Sequence, residues 1–259
     1  MANILITGAT GTIGVELSKH LIKNHDLYLV GRDFSNMPQD VYNQSTILKK
    51  DLIDPKSWDG LLEGIDYVIQ LAGESDQGAE FYGDLLEMNY KLPHNLYEEA
   101  SKTEGLKRII LASSIHIVDA YPKGTEVKTT DPIRPVNLYG VSKAYIEALA
   151  TYHAYSNNLE TIAIRIADYK ASDEEISEET DEYGAAMYLS KQDFNQLIDR
   201  CIDVELIEPF LIVNGISNNT FTRLSNEEAQ AHLGYQPKDN GFEKIGFFTE
   251  NKKSDNHTF

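Results

Sequence analysis

The stretch Ile4-Leu5-Ile6-Thr7-Gly8-Ala9-Thr10-Gly11-Thr12-Ile13-Gly14 decides how the chain is read. Its first four residues make a short apolar strand. A helical spacing of apolar side chains follows through Val15, Leu17, Leu21 and Ile22. The glycine-rich turn between them brings backbone N–H groups and a helix N-terminus to bear on a pyrophosphate. Its glycines allow the tight turn, close approach of phosphates and close packing of helix on strand. The spacing is G-x-x-G-x-x-G rather than G-x-G-x-x-G.

Outward from this turn, strands alternate with helices. Leu27 to Val30 reads as a second strand ending in Gly31-Arg32-Asp33, and Ser45 to Lys49 as a third ending at Asp51-Leu52. Ile65 to Leu71 reads as a fourth, delivering Ala72-Gly73-Glu74-Ser75. Lys107 to Ala112 is a fifth, delivering Ser113-Ser114-Ile115-His116, and Thr161 to Ile166 a sixth. Pro55 to Leu62 fits a short helix with Pro in its first turn, and Trp58 there belongs to core or interface rather than to a ligand site. A long helix is expected over Glu80 to Lys102, carrying Asn89. This alternation implies right-handed βαβ units. The expected fold is α/β, a Rossmann-type doubly wound parallel sheet of about seven strands in the order 3-2-1-4-5-6, with a seventh near the C-terminus. Residues 1–167 would form the dinucleotide-binding core. Residues 168–259 would form a small substrate-facing segment integrated with it.

Ligands in such sheets bind at the carboxyl ends of the strands. At the end of strand two an acid takes the adenosine ribose hydroxyls, whereas an Arg accommodates a 2′-phosphate. Arg32 favours NADP and Asp33 could favour NAD, and the reading leans to NADP. Asp51 is placed to meet the adenine amine.

Behind this start comes Tyr139-Gly140-Val141-Ser142-Lys143. A Tyr and a Lys four residues apart share one helix face. A free phenol titrates near about 10, and an ammonium fixed beside it is expected to lower that value. Such a phenol can exchange a proton with a substrate hydroxyl while a nicotinamide exchanges a hydride. Ser114 would hydrogen-bond the substrate oxygen, with Ser113 as rival for that role. Tyr139 would transfer the proton, and Lys143 would bind the nicotinamide ribose. His116 is a candidate substrate contact.

The remaining stretches fill in around this set. Residues 117–137 form a loop with Pro122, Gly124, Pro132 and Pro135. Asp173 to Glu182 holds seven acids in ten residues, read as a solvated loop or frayed helix with a substrate lid as the rival reading. Ser190-Lys191-Gln192-Asp193 is a capping-box pattern opening a helix through Ile202. Phe210 to Val213 is a late strand, and Asn226 to Leu233 a final helix closed by Gly234. The tail after Glu250 is polar and expected to be mobile.

Composition narrows the function classes. The 259 residues carry a formal net charge of −18, a surface that repels nucleic-acid phosphates and anionic headgroups. The excess acid also fits a salty or acidic habitat. No metal-ligand cluster shows among seven scattered His and one Cys, and no G-x-S-x-G elbow marks a serine hydrolase. Cys201, alone in an apolar helical stretch, reads as a buried inert thiol in a reducing compartment. With no signal peptide and no membrane-length apolar run, the expected location is cytoplasmic.

These motifs resemble the extended short-chain dehydrogenase/reductase superfamily, its NAD-dependent epimerase/dehydratase group. The match runs through Thr7 to Gly14, Asp51-Leu52, Leu71-Ala72-Gly73, Asn89, Ser113-Ser114, Tyr139 to Lys143 and Arg165. Within that group the chain looks most like the uronate dehydrogenases, from Ala112-Ser113-Ser114-x-His116-x-Val118 and from Val213 to Thr220. The resemblance implies a cofactor site of Gly8, Thr10, Gly11, Thr12, Ile13, Gly14, Asp51, Leu52, Leu71, Ala72, Gly73 and Lys143, to which the reading of the strand-two end adds Arg32. It implies substrate contacts at Ser75, Ser114 and His116, with Ser114, Tyr139 and Lys143 catalytic. It further implies oxidation of a hexuronic acid at its anomeric carbon to an aldarolactone, and a homodimer through the Tyr helix and its neighbour.

The chain departs from that pattern at three places. The family's Asn between serine and histidine is Ile115. The family's substrate Arg after strand six is missing, Lys170 being the sole basic residue between Arg165 and Lys191. Gly31-Arg32 stands where the family offers an acid. The expected function is therefore an NAD(P)-dependent oxidoreductase acting on a small sugar, uronate-like or other hydroxyl or carbonyl compound. The alternatives are a nucleotide-sugar epimerase or dehydratase, and a non-catalytic NADP-binding regulatory protein.

Overall fold

The computed structural model describes residues 1–177 and 179–248; the polar tail after Glu250 lies outside the described residues. The chain opens with β1 (Asn3–Thr7), α1 (Thr12–Leu21), β2 (Asp26–Gly31), α2 (Gln39–Gln44), β3 (Thr46–Lys49) and β4 (Tyr67–Gln70). It continues with α3 (Leu92–Ala100), β5 (Arg108–Ser114), α4 (Leu138–Asn157) and β6 (Thr161–Ile166). The last third holds β7 (Asp168–Lys170), α5 (Glu182–Met187), β8 (Tyr188–Ser190), α6 (Lys191–Asp203), β9 (Phe210–Gly215), α7 (Glu227–Leu233) and α8 (Gly241–Lys244).

Seven strands form one sheet in the order β3-β2-β1-β4-β5-β6-β9, every pair parallel. This is the expected doubly wound order, with the seventh strand on the β6 edge. Because successive side chains of a strand point to opposite faces, two cores form. On one face Ile4, Ile6 and Leu29 meet Leu17 and Leu21 of α1 and Phe194, Leu197 and Cys201 of α6. On the other Leu5, Val30, Val68 and Leu111 meet Trp58, Leu96, Tyr97, Ile146 and Ala150. Cys201 is fully buried and burial pushes its thiol pKa upward, as an inert core residue requires. Trp58 is likewise core, its indole N–H donating to the Leu52 carbonyl at 2.8 Å.

Four local expectations are corrected. Residues 55–62 give one 3-10 turn, Pro55–Trp58, capped by Asp54, and Leu61 and Leu62 follow in turns rather than helix. The long helix is two segments: Phe81–Lys91 winds with π-type hydrogen bonds and α3 begins at Leu92. Pro93, in the first turn of α3, has no N–H to continue the π-type bonding, whose last bond runs from the Leu92 N–H to the Glu87 carbonyl. The capping box at Ser190 is half formed. Ser190 Oγ accepts the Asp193 N–H, but the Ser190 N–H goes to Ser217 Oγ. The Asp193 carboxylate is instead engaged by Ser217 and by the Lys238 and Asp239 N–H groups. The helix closed by Gly234 is followed by α8, so it is not the last. Beyond the main sheet, and not foreseen from sequence, β7 and β8 form a small parallel pair.

Candidate active site

The carboxyl ends of β1, β4, β5 and β6 open onto a cleft of about 650 Å³. A second hollow of about 330 Å³ continues it past β2 and β3. Together they make the groove an extended dinucleotide needs. The hollow is lined by Gly8, Thr10, Gly11, Arg32, Asp51, Leu52, Leu71, Ala72 and Gly73. The cleft is lined by Thr12, Ile13, Gly14, Ser75, Ser114, His116, Tyr139 and Lys143, with Gly8, Gly11, Leu71 and Gly73 again at the junction. Every residue assigned to the site from sequence therefore borders this groove.

The groove fits a dinucleotide on two observations. Gly8 has φ +67°, and a Cβ there would meet the Ala72 nitrogen at 2.6 Å, so only glycine makes this turn. Helix α1 starts at Gly11 with no side-chain cap and no acid in its first turn. Its leading N–H groups are thus left for an anionic ligand. Arg32 is exposed at the rim of the hollow. Asp33 is occupied within its own turn, its two oxygens accepting the Ser35 N–H and hydroxyl at 3.0 and 2.9 Å. The Asp51 carboxylate caps the Ile53 N–H at 3.1 Å on the far side of the hollow.

Helix α4 carries Tyr139 and Lys143. Asn137 caps it, its side-chain oxygen accepting the Gly140 N–H at 2.7 Å. A Cβ at Gly140 would run into the His116 carbonyl, so glycine lets α4 press against the turn after β5. Tyr139 and Lys143 then lie one turn apart, with Lys143 Nζ 5.5 Å from the phenol ring centroid. Lys143 is buried and donates to the Ala112 carbonyl at 2.9 Å, and burial depresses its pKa to about 8 against the pull of Glu147.

The phenol departs from expectation. Burial raises the Tyr139 pKa, interaction with the Ser114 hydroxyl offsets part of that rise, and the Glu74 carboxylate adds to it. The expected lowering by Lys143 does not dominate, because the ammonium is itself desolvated and turned to the Ala112 carbonyl.

The structure separates the two serines by strand alternation. Ser113 also borders the cleft, but its hydroxyl is engaged by Glu147, to which it donates at 2.6 Å. Glu147 is also gripped by Arg165 through two hydrogen bonds of 3.0 and 2.9 Å. Ser114 faces Tyr139 and accepts the His116 N–H at 3.2 Å. Asn89 holds the strand-four loop: it accepts the Glu74 N–H at 2.7 Å and donates to the Glu74 carbonyl and to Ser142.

Sequence reasoning missed several neighbours. Glu74 lines the cleft and caps the Ser75 and Asp76 N–H groups. Asp119 grips His116. Asp168, Tyr169 and Met187 form the wall contributed by the C-terminal third. Glu74 stands in the stretch delivered by strand four, but no role is read for it there; the others lie in no motif, and only the folded chain brings them together. Lys170, the sole base expected in that region, pairs with Asp168 at 3.1 Å. Lys143 is then the one Lys or Arg among the described cleft-lining residues. Among the described residues no group of three or more His, Cys, Asp or Glu is placed to hold a metal ion, and no helix is long and apolar enough to cross a membrane.

A doubly wound parallel sheet, an uncapped glycine turn and a Ser-Tyr-Lys set over its carboxyl edge define an NAD(P)-dependent oxidoreductase. Residues 4–173 match the model of the NAD dependent epimerase/dehydratase family, and the chain belongs to that family. It is 31% identical to L-arabinose 1-dehydrogenase (NAD(P)(+)) of Haloferax volcanii, over 93% of this chain and 98% of that one. It is 33% identical to uronate dehydrogenase of Pseudomonas putida, over 91% and 84%. The uronate dehydrogenase from Agrobacterium tumefaciens, solved as a mutant complexed with NAD, superposes with a TM-score of 0.82 at 27% identity, covering 96% of this chain and 89% of that one.

Proposed function

We propose that the protein oxidises a small sugar at its anomeric carbon, converting the ring hydroxyl to the carbonyl of a lactone. The observation that carries this reading is Ser114 and Tyr139 facing each other across the cleft with Lys143 buried one helical turn behind. The names of the similar arabinose and uronate dehydrogenases support it.

In this mechanism Ser114 hydrogen-bonds the reacting oxygen and holds it against Tyr139. Tyr139, as phenolate, takes the hydroxyl proton. A bound NAD(P) would supply the hydride acceptor for the carbon that carries that hydroxyl. The groups that would hold it are the Gly8–Gly14 turn for the pyrophosphate, Asp51 for the adenine and Lys143 for the nicotinamide ribose. Because the phenol pKa is raised, the oxidising direction gains rate as pH rises, and the reducing direction gains as it falls.

Arg32 supports NADP as the preferred cofactor, since Asp33 is spent on Ser35 and no other acid stands at the end of β2. Residues 168–259 would serve the substrate, through Asp168, Tyr169 and Met187, and residues 1–167 the dinucleotide. A homodimer through α4 and the helix before it is supported by exposed Leu138, Val141, Tyr152 and Tyr155 on α4 and Tyr82 beside it. Light scattering at micromolar concentration tests that arrangement. The single buried thiol suits a cytoplasmic location.

The deciding experiment is a rate screen of aldoses, uronates and sugar phosphates with NADP and NAD. Formation of reduced cofactor with at least one sugar is expected, and Arg32→Glu should shift preference from NADP toward NAD. Cofactor binding with no turnover of any sugar would contradict the proposal.

A further inference from the structure

We propose that Asp119 is a positioning residue that locks His116 in one tautomer, so that the cleft selects an uncharged, hydroxyl-bearing sugar over a carboxylate or phosphate. This rests on the sugar-dehydrogenase reading above. His116 lies in the 3-10 turn Ile115–Val118 directly after β5, where its ring stands edge-on to Tyr139 with centroids 5.5 Å apart. Its Nδ1 is hydrogen-bonded to the carboxylate of Asp119, three residues on and within one turn. The two side chains are 21% and 16% exposed, so solvent competes little for the contact.

A carboxylate only accepts, so an uncharged imidazole in this contact carries its proton on Nδ1. The lone pair is then on Nε2. Nε2 makes no hydrogen bond within the described residues, and His116 lines the cleft. An acceptor at that point complements a hydroxyl, which can donate to it. It opposes a carboxylate or phosphate oxygen, which can only accept.

The rest of the cleft agrees in charge. Glu74 and Asp168 line it, Lys170 is spent on Asp168, and Lys191 is spent on Glu16 at 2.9 Å. Among the described cleft-lining residues Lys143 is the one cation, and it is buried and turned to the Ala112 carbonyl, so an anionic sugar would find no guanidinium there, whereas each ring hydroxyl of an aldose can donate to an oxygen or to Nε2. The specificity element is thus an acceptor supplied by His116 and fixed by Asp119.

The test pairs kinetics with spectroscopy on the full chain with cofactor added. The wild type should have a lower KM for an aldose than for the uronate of the same configuration. Asp119→Leu should raise the aldose KM about tenfold with kcat changed by less than about threefold, as loss of one oriented hydrogen bond predicts. Asp119→Asn keeps a side-chain acceptor for Nδ1–H and should stay within about threefold of wild type. Nitrogen-15 spectra of labelled histidine should show the Nδ1–H tautomer in the wild type and Nε2–H in Asp119→Leu. An Nε2–H tautomer or a doubly protonated imidazolium in the wild-type protein, or an unchanged aldose KM in Asp119→Leu, would overturn the proposal. Absence of turnover with every sugar would sink the dehydrogenase reading instead, and the wild-type spectrum would still decide the role of Asp119.

Discussion

At the scale of residues, the site is a set of desolvated groups working against their own solvation. Lys143 is the sharpest case. Its ammonium is buried with one carbonyl partner, and burial brings its pKa down to about 8 from 10.5. A shift of that size corresponds to roughly 3 kcal/mol of lost stability while the amine is charged. The sign follows from linkage: the unfolded chain holds this proton more tightly, so the penalty is full below about pH 8 and fades as pH rises toward 10.5. Lys143→Met should therefore melt higher than wild type at pH 7, with the gap closing by pH 10, while turnover is lost. Thermal melts across that range check it. A variant less stable at pH 7, or a gap that ignores pH, would contradict the burial argument. Residue-scale chemistry was partly legible in the sequence. Tyr139 and Lys143 announce themselves by spacing. The choice between Ser113 and Ser114 does not, because it depends on which face of β5 meets α4. The direction of the phenol shift was misread, because neither the depth of burial nor the approach of Glu74 is written in the local sequence.

At the scale of elements, α4 is the part on which the site depends. It is fixed at its start by Asn137 and Gly140 and midway by Glu147, which joins it to β5 through Ser113 and to β6 through Arg165. Glu147 and Arg165 are each nearly inaccessible, with side chains 7% and 3% exposed. Removing one partner leaves an unpaired buried charge, so Arg165→Met should cost about 3–5 kcal/mol in urea unfolding. The double variant Glu147→Leu, Arg165→Met should recover a large part of that loss. A single variant as stable as wild type would show the pair to be dispensable. The loop after His116 is fixed differently: buried Arg223 donates to the carbonyls of Pro122, Thr125 and Tyr121 at 2.8 to 2.9 Å. Elements defined by local periodicity, such as β1, α1, β6 and α6, were readable from sequence. The three-residue strands β7 and β8 were not, since neither is long enough to show alternation and their pairing spans the acidic stretch. The π-type winding of Phe81–Lys91 was also invisible, because its apolar spacing passes for an ordinary helix.

At the scale of the whole molecule, two properties dominate. The sheet order was deducible, because βαβ handedness leaves few ways to connect seven parallel strands. The charge of −18 is the second. Like charges on a compact surface repel, and salt screens them as the Debye length falls from about 10 Å at 0.1 M to about 3 Å at 1 M. The melting temperature should accordingly rise by several degrees between low salt and molar potassium chloride. A flat or falling curve would mean that the acids are already neutralised by their ion-pair partners. The same net charge surrounds the groove, where the start of α1 carries no side-chain cap and no acid in its first turn.

The account rests on one proton passing through the Tyr139 phenol, and the most direct measurement is the turnover of Tyr139→Phe alongside its cofactor affinity. The substitution removes only the hydroxyl oxygen from a ring that packs with Ala79 and Leu85. The expected result is cofactor binding within about threefold of wild type and a fall in kcat of at least about a thousandfold. Turnover within tenfold of wild type, with the same sugar and cofactor, would contradict the mechanism.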